Sequence, residues 1–471
     1  MADQIAKTGS GKIPDRSSDE VQRLKDDALE NLWIFHRQPS QLAKEGGPRI
    51  IIEGSGCLVT DIDGREYIDG LAGLAVINIG YGRKEVAEAV YAQMQQLSYM
   101  PWGSANVPAI ELAKKLVQIT PGDLSRAFFA SGGSEANETA LKLARAYHRR
   151  QGDSLRYRFI SRRPSFHGGT LATLSLGADP QPSSPYEPLM GGIVHVPHPD
   201  PYRCPLGGRT AAESAIKCAK AVEESILLYG PETVAALIVE PISGTTAFAV
   251  PGPEYWPMLR EICTRYGVLL IVDEIVTGFG RTGKMFACEH WDVVPDIMTL
   301  SKGLTSGYLP MSATIVRKHV SDVFVGSNDA TFRHIFTSGG HAACAAAALE
   351  NIRIIEDENL AENSATMGRH FRSLLQELKE NHPVIGDVRG QGLAIGMVLV
   401  KDRVTKELFS PEDRLGDRLE KLFVENGLIL AKRDSHLLIA PPLCISRAEV
   451  EEIVSILDKC LGLLEGELRL G

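Results

Sequence analysis

The sequence GVLLIVDE at residues 267–274 determines the predicted fold class. Its first six residues form an apolar run with the length and composition of a buried β-strand. The run ends in two acids, and in open α/β sheets the carboxyl ends of the strands face the ligand crevice. Asp273 is therefore predicted to be a site residue. Because alternate residues of an extended chain share a face, Ile275 is predicted to approach the same ligand.

A second apolar run, PDIMTL at residues 295–300, is followed by Ser301, Lys302 and Gly303. A lysine between small residues at the end of a buried strand is partly desolvated, which lowers the pKa of its amine and permits a Schiff base. An acid beneath a ring nitrogen together with a Schiff-base lysine is the arrangement that pyridoxal phosphate (PLP) requires. Each residue alone has an ordinary alternative: Asp273 as a helix cap and Lys302 as a solvent-facing side chain.

A glycine-rich loop precedes a predicted helix. A short strand at residues 126–130 leads into SGGSEAN at residues 131–137, and apolar residues at helical spacing follow. Glycines at a helix N-terminus expose backbone N–H groups and the positive end of the helix dipole, which together favour phosphate. The same residues also suit an ordinary helix cap, so by itself the motif is a weak indication of a phosphate site.

Length and composition predict a soluble enzyme. The chain has 471 residues, of which 44% are hydrophobic and 23% are charged, enough for a large core and two domains. From about residue 105 to about residue 320 helix and strand patterns alternate, as in a doubly wound sheet. The net charge of −9 without a basic block argues against nucleic acid or an anionic membrane as a partner.

The cysteines and the apolar segments predict a cytoplasmic location. The 8 cysteines lack CxxC pairs, so they are predicted to be reduced thiols. His195, His198 and Cys204 lie close in sequence but lack a second ligand pair, and no metal site is predicted. The chain has neither a membrane-length apolar stretch nor an N-terminal apolar segment typical of secretion.

The sequence VDEIVTGFGRTG at residues 272–283, with PD at 295–296 and SKG at 301–303, resembles the class III (ω-) aminotransferases, PLP enzymes of fold type I. The resemblance extends from about Trp33 to the C-terminal helix. It implies an α/β fold with a large domain, whose mostly parallel sheet is flanked by helices, and a smaller α+β domain.

The resemblance also implies a domain organisation. Residues 1–16 are predicted to be a mobile arm, and residues 17–104 to contribute to the small domain and the active-site entrance. Residues 105–325 are predicted to form the large PLP-binding domain, and residues 326–471 the C-terminal small domain.

The resemblance assigns roles to particular residues. Lys302 would bond to the cofactor and act as general base, while Asp273 would stabilise the charged ring nitrogen. Thr337 would reach the phosphate of a neighbouring subunit, which implies a homodimer or a higher homo-oligomer. The other implied cofactor contacts are Gly133, Ser134, Phe166, His167, Glu240 and Ile275.

The chain departs from the family pattern at three positions. Phe166 stands where the family usually has tyrosine, which keeps the stacking face but loses the hydroxyl. Ala75 stands where many relatives carry a wall-forming tryptophan, and Ala431 where they carry the arginine that binds the acceptor carboxylate. A bulky or long-chain donor would then fit. The remaining candidates for the substrate pocket are Trp33 and Trp102, which would refill its volume, and Lys432 and Arg433, which would replace the arginine.

The predicted activity is transfer of an amino group from a primary amine to an α-keto acid such as pyruvate. The alternative is a lyase or aminomutase of the same fold, because PLP weakens any of three substrate bonds and the Asp–Lys pair does not select among them.

Overall fold

The structure is a computed structural model that describes residues 16–35, 37–100, 103–177, 184–433 and 435–468. All but the last residue of the predicted arm, 1–16, lies outside the described residues. The chain divides into two compact units, one within residues 1–54 and 58–67 and the other within residues 55–57 and 68–471. The predicted large and small domains both fall in the second unit, so the boundary at residue 325 stays a prediction.

The first unit contains helices α1 (Ser18–Asn31) and α2 (Pro39–Lys44) and strand β2 (Leu58–Asp61); strands β1 (Ile51–Ser55) and β3 (Glu66–Asp69) begin in it. A turn follows β2, in which Asp61 accepts hydrogen bonds from the backbone N–H groups of Asp63 and Arg65. Gly64 has a φ of +78°, which a side chain would disfavour. The composition of DIDG at residues 61–64 predicts a hairpin turn, and the structure confirms it.

The largest sheet within the described residues has seven strands in the order β4-β10-β9-β8-β7-β5-β6. Strand β10 pairs antiparallel with both its neighbours, and the other pairs are parallel. Both faces of β7 and β8 are buried, which explains their uninterrupted apolar sequences. The strands are β4 (Leu124–Ala130), β5 (Arg158–Arg163), β6 (Ile193–Pro197), β7 (Val234–Val239), β8 (Leu269–Asp273), β9 (Ile297–Leu300) and β10 (Ser312–Arg317).

Helices pack against this sheet and complete its core. Leu141 and Ala144 of the helix after β4 pack with Phe159, Ile271 and Ile297 of the strands. The helices of this part of the chain are α3 (Ala72–Ala75), α4 (Lys84–Gln96), α5 (Val107–Ile119), α6 (Gly133–Arg150), α7 (Leu171–Leu176), α8 (Ala211–Tyr229), α9 (Tyr255–Tyr266) and α10 (Lys318–Asp322).

A smaller sheet in the C-terminal part has the order β11-β12-β15-β14. The apolar, glycine-punctuated sequence at residues 388–400 predicts a single strand. This prediction is wrong, because the chain reverses there between two antiparallel strands. Gly392 lies at the reversal with a φ of +56°, and a Cβ there would come within 2.3 Å of the Thr282 backbone. The strands are β11 (Ile385–Gln391), β12 (Ala394–Leu399), β13 (Leu428–Ile429), β14 (Ala431–Arg433) and β15 (His436–Ile439).

Apolar periodicity predicts four C-terminal helices, at residues 342–355, 364–378, 413–426 and 447–464. All four are present, with ends that differ by a few residues. They are α11 (Ala342–Asp357), α12 (Leu360–Asn381), α13 (Leu415–Glu425) and α14 (Arg447–Leu468). In the part of the chain that the structure describes, no helix is both long enough and apolar enough to cross a membrane.

Candidate active site

Three charged residues lie at the carboxyl ends of neighbouring strands, on the same edge of the large sheet. Glu240 directly follows β7, Asp273 is the last residue of β8, and Lys302 follows β9 after one residue. The parallel register pairs Asp273 with Thr299, so the carboxyl ends of β8 and β9 lie level. This edge is where open α/β sheets bind their ligands.

Asp273 is held by three hydrogen-bond donors. Its Oδ2 accepts from His167 Nδ1 at 2.8 Å and from the Asn137 side-chain amide at 2.8 Å. Its Oδ1 accepts from the backbone N–H of Ile275 at 3.1 Å. Only 4% of Asp273 is exposed, so these donors take the place of water around a buried carboxylate.

His167 lies between two carboxylates. Its Nε2 is 3.7 Å from Glu240 Oε2, and Arg162 donates to the same oxygen at 2.9 Å. Burial lowers the pKa of His167, but Glu240 and Asp273 outweigh it and raise the pKa overall. Burial raises the pKa of Glu240, yet His167 and Arg162 bring it down to about 2. The group therefore carries alternating charges that stabilise one another.

Lys302 has a strained backbone and a partly desolvated amine. Its φ is +42°, in the left-handed region that favours glycine. Burial lowers the pKa of its amine to about 8, with Asp273 opposing the shift and Arg281 adding to it. The Nζ donates a hydrogen bond to the backbone carbonyl of Leu74 at 2.8 Å. About one tenth of an amine with this pKa is unprotonated at pH 7, far more than of an ordinary lysine, and the unprotonated form is the one that can act as nucleophile or base.

The N-terminus of α6 forms a glycine-lined space. The helix has 18 residues and its N-cap is Gly132, which offers no side chain to the free N–H groups. The Ser134 hydroxyl accepts from the backbone N–H of Gly169 at 3.0 Å. A Cβ on Gly132 or Gly169 would meet nothing within 4 Å, whereas one on Gly133 would come within 2.9 Å of Ile275. The space suits a phosphate at the positive end of the helix dipole.

The backbone N–H of Phe166 forms a hydrogen bond with the charged group. Its N–H donates to Glu240 Oε1 at 3.2 Å, while 55% of the residue is exposed. The ring therefore offers a free face on which a flat ligand can stack.

Ala75 and Ala431 lie in one apolar cluster, where Ala75 is buried and Ala431 half-buried. Ala75 also follows Leu74, whose carbonyl contacts Lys302. The cluster is lined by small and aliphatic side chains together with two aromatic ones: Leu71, Ile242, Phe248, Val250, Val276, Trp291, Ala394, Leu438 and Ala440.

Lys432 and Arg433 lie on opposite faces of β14, because neighbouring residues of a strand alternate. Lys432 Nζ forms ion pairs with Asp417 and, at 3.0 Å, with Glu420. Arg433 shares the face of Ala431. The two candidates for the missing arginine are therefore in different surroundings.

The structure does not assign a role to three predicted site residues. Thr337 is exposed, and its carbonyl accepts from the Tyr99 hydroxyl at 2.5 Å. Trp33 belongs to the first unit, where it is 97% exposed. Trp102 lies outside the described residues. Their roles stay predictions.

Sequence reasoning missed Asn137, Arg162 and the Leu74 carbonyl. Asn137 could have been found, because it is a polar residue on the buried, mainly apolar face of α6. Arg162 lies near the end of β5 and resembles many other arginines in the sequence. A backbone carbonyl has no sequence signal at all. Among the described residues, no group of three or more His, Cys, Asp or Glu side chains could hold a metal ion.

The chain is similar to known aminotransferases along nearly its whole length. Residues 42–461 match the model of the family described as aminotransferase class-III. The taurine–pyruvate aminotransferase of Bilophila wadsworthia is 38% identical over 449 residues, which are 93% of this chain and 97% of that protein.

Solved structures of ω-transaminases are similar as well. The enzyme of Pseudomonas jessenii in complex with PMP has a TM-score of 0.91 at 35% identity, over 95% of this chain and 99% of that one. A thermostable tryptophan-to-glycine variant, engineered for asymmetric synthesis of enantiopure bulky amines, has a TM-score of 0.87 at 35% identity, over 93% of this chain and 98% of that one. These matches confirm the predicted α/β fold class and the resemblance stated above.

Proposed function

Because the chain belongs to the class-III aminotransferases, we propose that it is an amine:pyruvate aminotransferase that accepts bulky or long-chain primary amines. The enzyme uses PLP. One observation carries the proposal: the Lys302 amine and the Asp273 carboxylate lie at the same edge of the sheet. The pKa of the amine is lowered, and the carboxylate accepts three hydrogen bonds.

The residues at this edge suit PLP. Gly133 and Ser134 would hold its phosphate at the N-terminus of α6, Phe166 would stack on its ring, and Asp273 would lie at its ring nitrogen. When bound, PLP supplies a ring that accepts the electron pair left when a bond to the donor carbon breaks.

Lys302 and Asp273 would then divide the proton transfers. The Lys302 amine would hold PLP covalently in the resting enzyme and would be freed when the donor amine takes its place. The freed amine would then accept a proton from the donor carbon as general base and give it up again as general acid. Asp273 would favour a proton on the ring nitrogen, and the hydrogen bonds from His167 and Asn137 hold its carboxylate in one orientation.

The small side chains at Ala75 and Ala431 support a bulky donor. An aromatic side chain buries about 150–250 Å², so an alanine in place of a wall-forming tryptophan leaves space for substrate. In the similar transaminase variant, a tryptophan is replaced by glycine, and that variant was engineered for asymmetric synthesis of enantiopure bulky amines. We infer that this chain has the corresponding space naturally.

The acceptor carboxylate needs a cation that Ala431 does not supply. Arg433 is the better-supported candidate, because it shares the Ala431 face of β14. Lys432 faces Asp417 and Glu420, whose charges compensate its own. A planar guanidinium also binds a carboxylate through two parallel hydrogen bonds.

We propose a homodimer formed over the face that carries Thr337. A groove of about 1230 Å³ lies beside this loop. Met100, Ile110 and Ile335 line it, each 53% exposed. Exposed apolar side chains gathered in one groove are typical of an interface, and a second copy would bring its own Thr337 to the partner's site.

The cytoplasmic location stays a prediction.

A lyase or aminomutase is not favoured, because the matched family is one of aminotransferases. The test is to supply the PLP-loaded enzyme with a bulky primary amine and pyruvate, and to measure alanine and the carbonyl product. Transfer requires one alanine for each carbonyl product. Carbonyl product with free ammonia and no alanine, or an isomerised amine, would contradict the proposal.

A further inference from the structure

We propose that Asp69 is a positioning residue for Lys302, acting through the main chain of a strained turn at residues 71–75. The inference goes beyond the proposed function but rests on it in one respect, since it takes Lys302 as the residue that bonds to PLP. The turn connects the two side chains: Asp69 accepts hydrogen bonds from its N–H groups, and Lys302 donates one to its Leu74 carbonyl.

The Asp69 carboxylate is buried and has three donors. Oδ1 accepts from the backbone N–H of Leu71 at 3.0 Å. Oδ2 accepts from the backbone N–H of Gly73 at 2.6 Å and from the Tyr81 hydroxyl at 2.6 Å. A buried carboxylate with this many donors keeps one orientation, and it fixes the backbone groups that donate to it.

The turn needs such an anchor because its backbone is strained. Ala72, Gly73 and Ala75 have φ values of +52°, +71° and +54°, a region that residues with a Cβ rarely adopt. Conformations of this kind persist only where surrounding contacts impose them, and they concentrate at functional sites. The bonds from Leu71 and Gly73 to Asp69 are contacts of that kind.

The strained backbone fixes the position of the Leu74 carbonyl. The Leu74 side chain is 56% exposed, so its main chain, and not its side chain, builds the contact with Lys302. One N–H of the amine points at this carbonyl at 2.8 Å, which restricts rotation of the amine. The charges of Asp273 and Arg281 act on the amine directly, whereas Asp69 is joined to it by the turn.

Asp61 provides a matched comparison elsewhere in the chain. It is also buried, and it accepts from the N–H groups two and four residues later, as Asp69 does. It also accepts from a tyrosine hydroxyl, that of Tyr67, at 2.7 Å. The turn that Asp61 anchors is the hairpin at residues 61–64. Replacing either aspartate removes the same local interactions, but only one replacement should affect Lys302.

The experiment measures the rate at which the cofactor-free protein captures PLP covalently, and stopped-flow absorbance monitors this rate. Because a misoriented amine attacks slowly, Asp69→Asn should slow capture about tenfold and Tyr81→Phe about threefold. Asp61→Asn should leave the rate within about twofold of wild type. A second measurement is the affinity for PLP without the bond: in a Lys302→Ala background, adding Asp69→Asn should change this affinity by less than about twofold.

The outcomes separate positioning from general damage. Equal slowing by Asp61→Asn, unchanged capture in Asp69→Asn, or weakened PLP affinity in the Lys302→Ala background would each overturn the proposal. If Asp69→Asn does not fold, as judged by thermal unfolding, Tyr81→Phe decides the matter, and unchanged capture in that variant overturns it. Failure of the proposed function is distinguishable, because wild-type protein would then capture PLP without transferring an amino group.

Discussion

The part of the site around Asp273 and the part around Ala75 both act on Lys302, one through the charge of Asp273 and the other through the Leu74 carbonyl, but they are built differently. Around Asp273, buried charged and polar side chains satisfy one another, as in the pairs that His167 forms with Asp273 and Glu240. Around Ala75, the lining is apolar and its two predicted determinants are alanines. The first part has little freedom to change, because removing one partner leaves a buried charge unpaired. A change in the second leaves no buried charge unpaired, because its lining is apolar.

This difference indicates where chemistry and specificity are determined. A change near Asp273 should affect every substrate, since it alters the group that reacts with all of them. A change near Ala75 or Ala431 should affect some substrates and not others, because it alters only the available volume and charge. Substitutions in each part of the site test this contrast.

Lys302→Ala should abolish transfer, by about 10⁴-fold or more, because it removes both the nucleophile and the proton carrier. PLP should still bind through phosphate contacts, without the absorbance of the lysine-bound form. The measurement is single-turnover absorbance with amine and then with pyruvate. Lys318→Ala, at an exposed lysine paired with Asp322, is the control and should behave as wild type. Near wild-type turnover in Lys302→Ala would contradict the assignment.

Asp273→Asn should lower kcat for bulky and small amines alike by about 10³-fold, or about 4 kcal/mol, because a neutral ring nitrogen accepts electrons poorly. Asp296→Asn is a matched control, since Asp296 is also a buried aspartate but precedes β9, at the opposite edge of the sheet. A loss below tenfold in Asp273→Asn, or a loss confined to bulky amines, would remove Asp273 from the role.

The pH dependence of PLP capture by the cofactor-free protein should follow the Lys302 amine, whose pKa is about 8. Only the unprotonated amine attacks, so the rate should rise about tenfold per pH unit below that pKa and level off above it. Stopped-flow absorbance between pH 6 and 10 provides the measurement. A rate that still rises about tenfold per unit up to pH 10, as for an ordinary lysine with a pKa of about 10.4, would show that the amine is not desolvated.

Ala75→Trp should lower kcat/KM for a bulky amine about tenfold or more relative to a small amine, because any disturbance of the strained turn that carries Ala75 affects both amines alike. The indole would fill the space that the small side chain of Ala75 is proposed to leave for a bulky donor. The small amine serves as the control within the same variant. Unchanged activity with the bulky amine would refute the assignment of Ala75 to the pocket wall.

Arg433→Ala should raise KM for pyruvate about tenfold, because one charge-assisted contact is lost. Lys432→Ala should change it less than about twofold, since Asp417 and Glu420 already engage that ammonium. Initial rates at varied pyruvate and saturating amine give both values. The reverse order would assign acceptor binding to Lys432, and no change in either variant would place the carboxylate elsewhere.

Much of the part of the site around Asp273 and Lys302 could be predicted, because these residues belong to patterns that are local in the sequence. The apolar runs at β8 and β9 placed Asp273 and Lys302 at strand ends, and parallel pairing then brought those ends to one edge. Glycines before α6 indicated the helix N-terminus that the structure has. Asn137 was within the quoted loop but was missed, because its target lies 136 residues away in the chain.

The sequence by itself determined the strands, the acid, the lysine and the glycine-rich helix start, since each depends on residues close together in the chain. Only the tertiary structure decided that Asn137 and His167 share one carboxylate oxygen, that Lys432 faces Asp417 and Glu420, and that a strained turn presents the Leu74 carbonyl to Lys302. These contacts join distant segments, and a backbone carbonyl is the same chemical group in every residue. Their existence therefore depends on packing and on φ angles that no local pattern specifies.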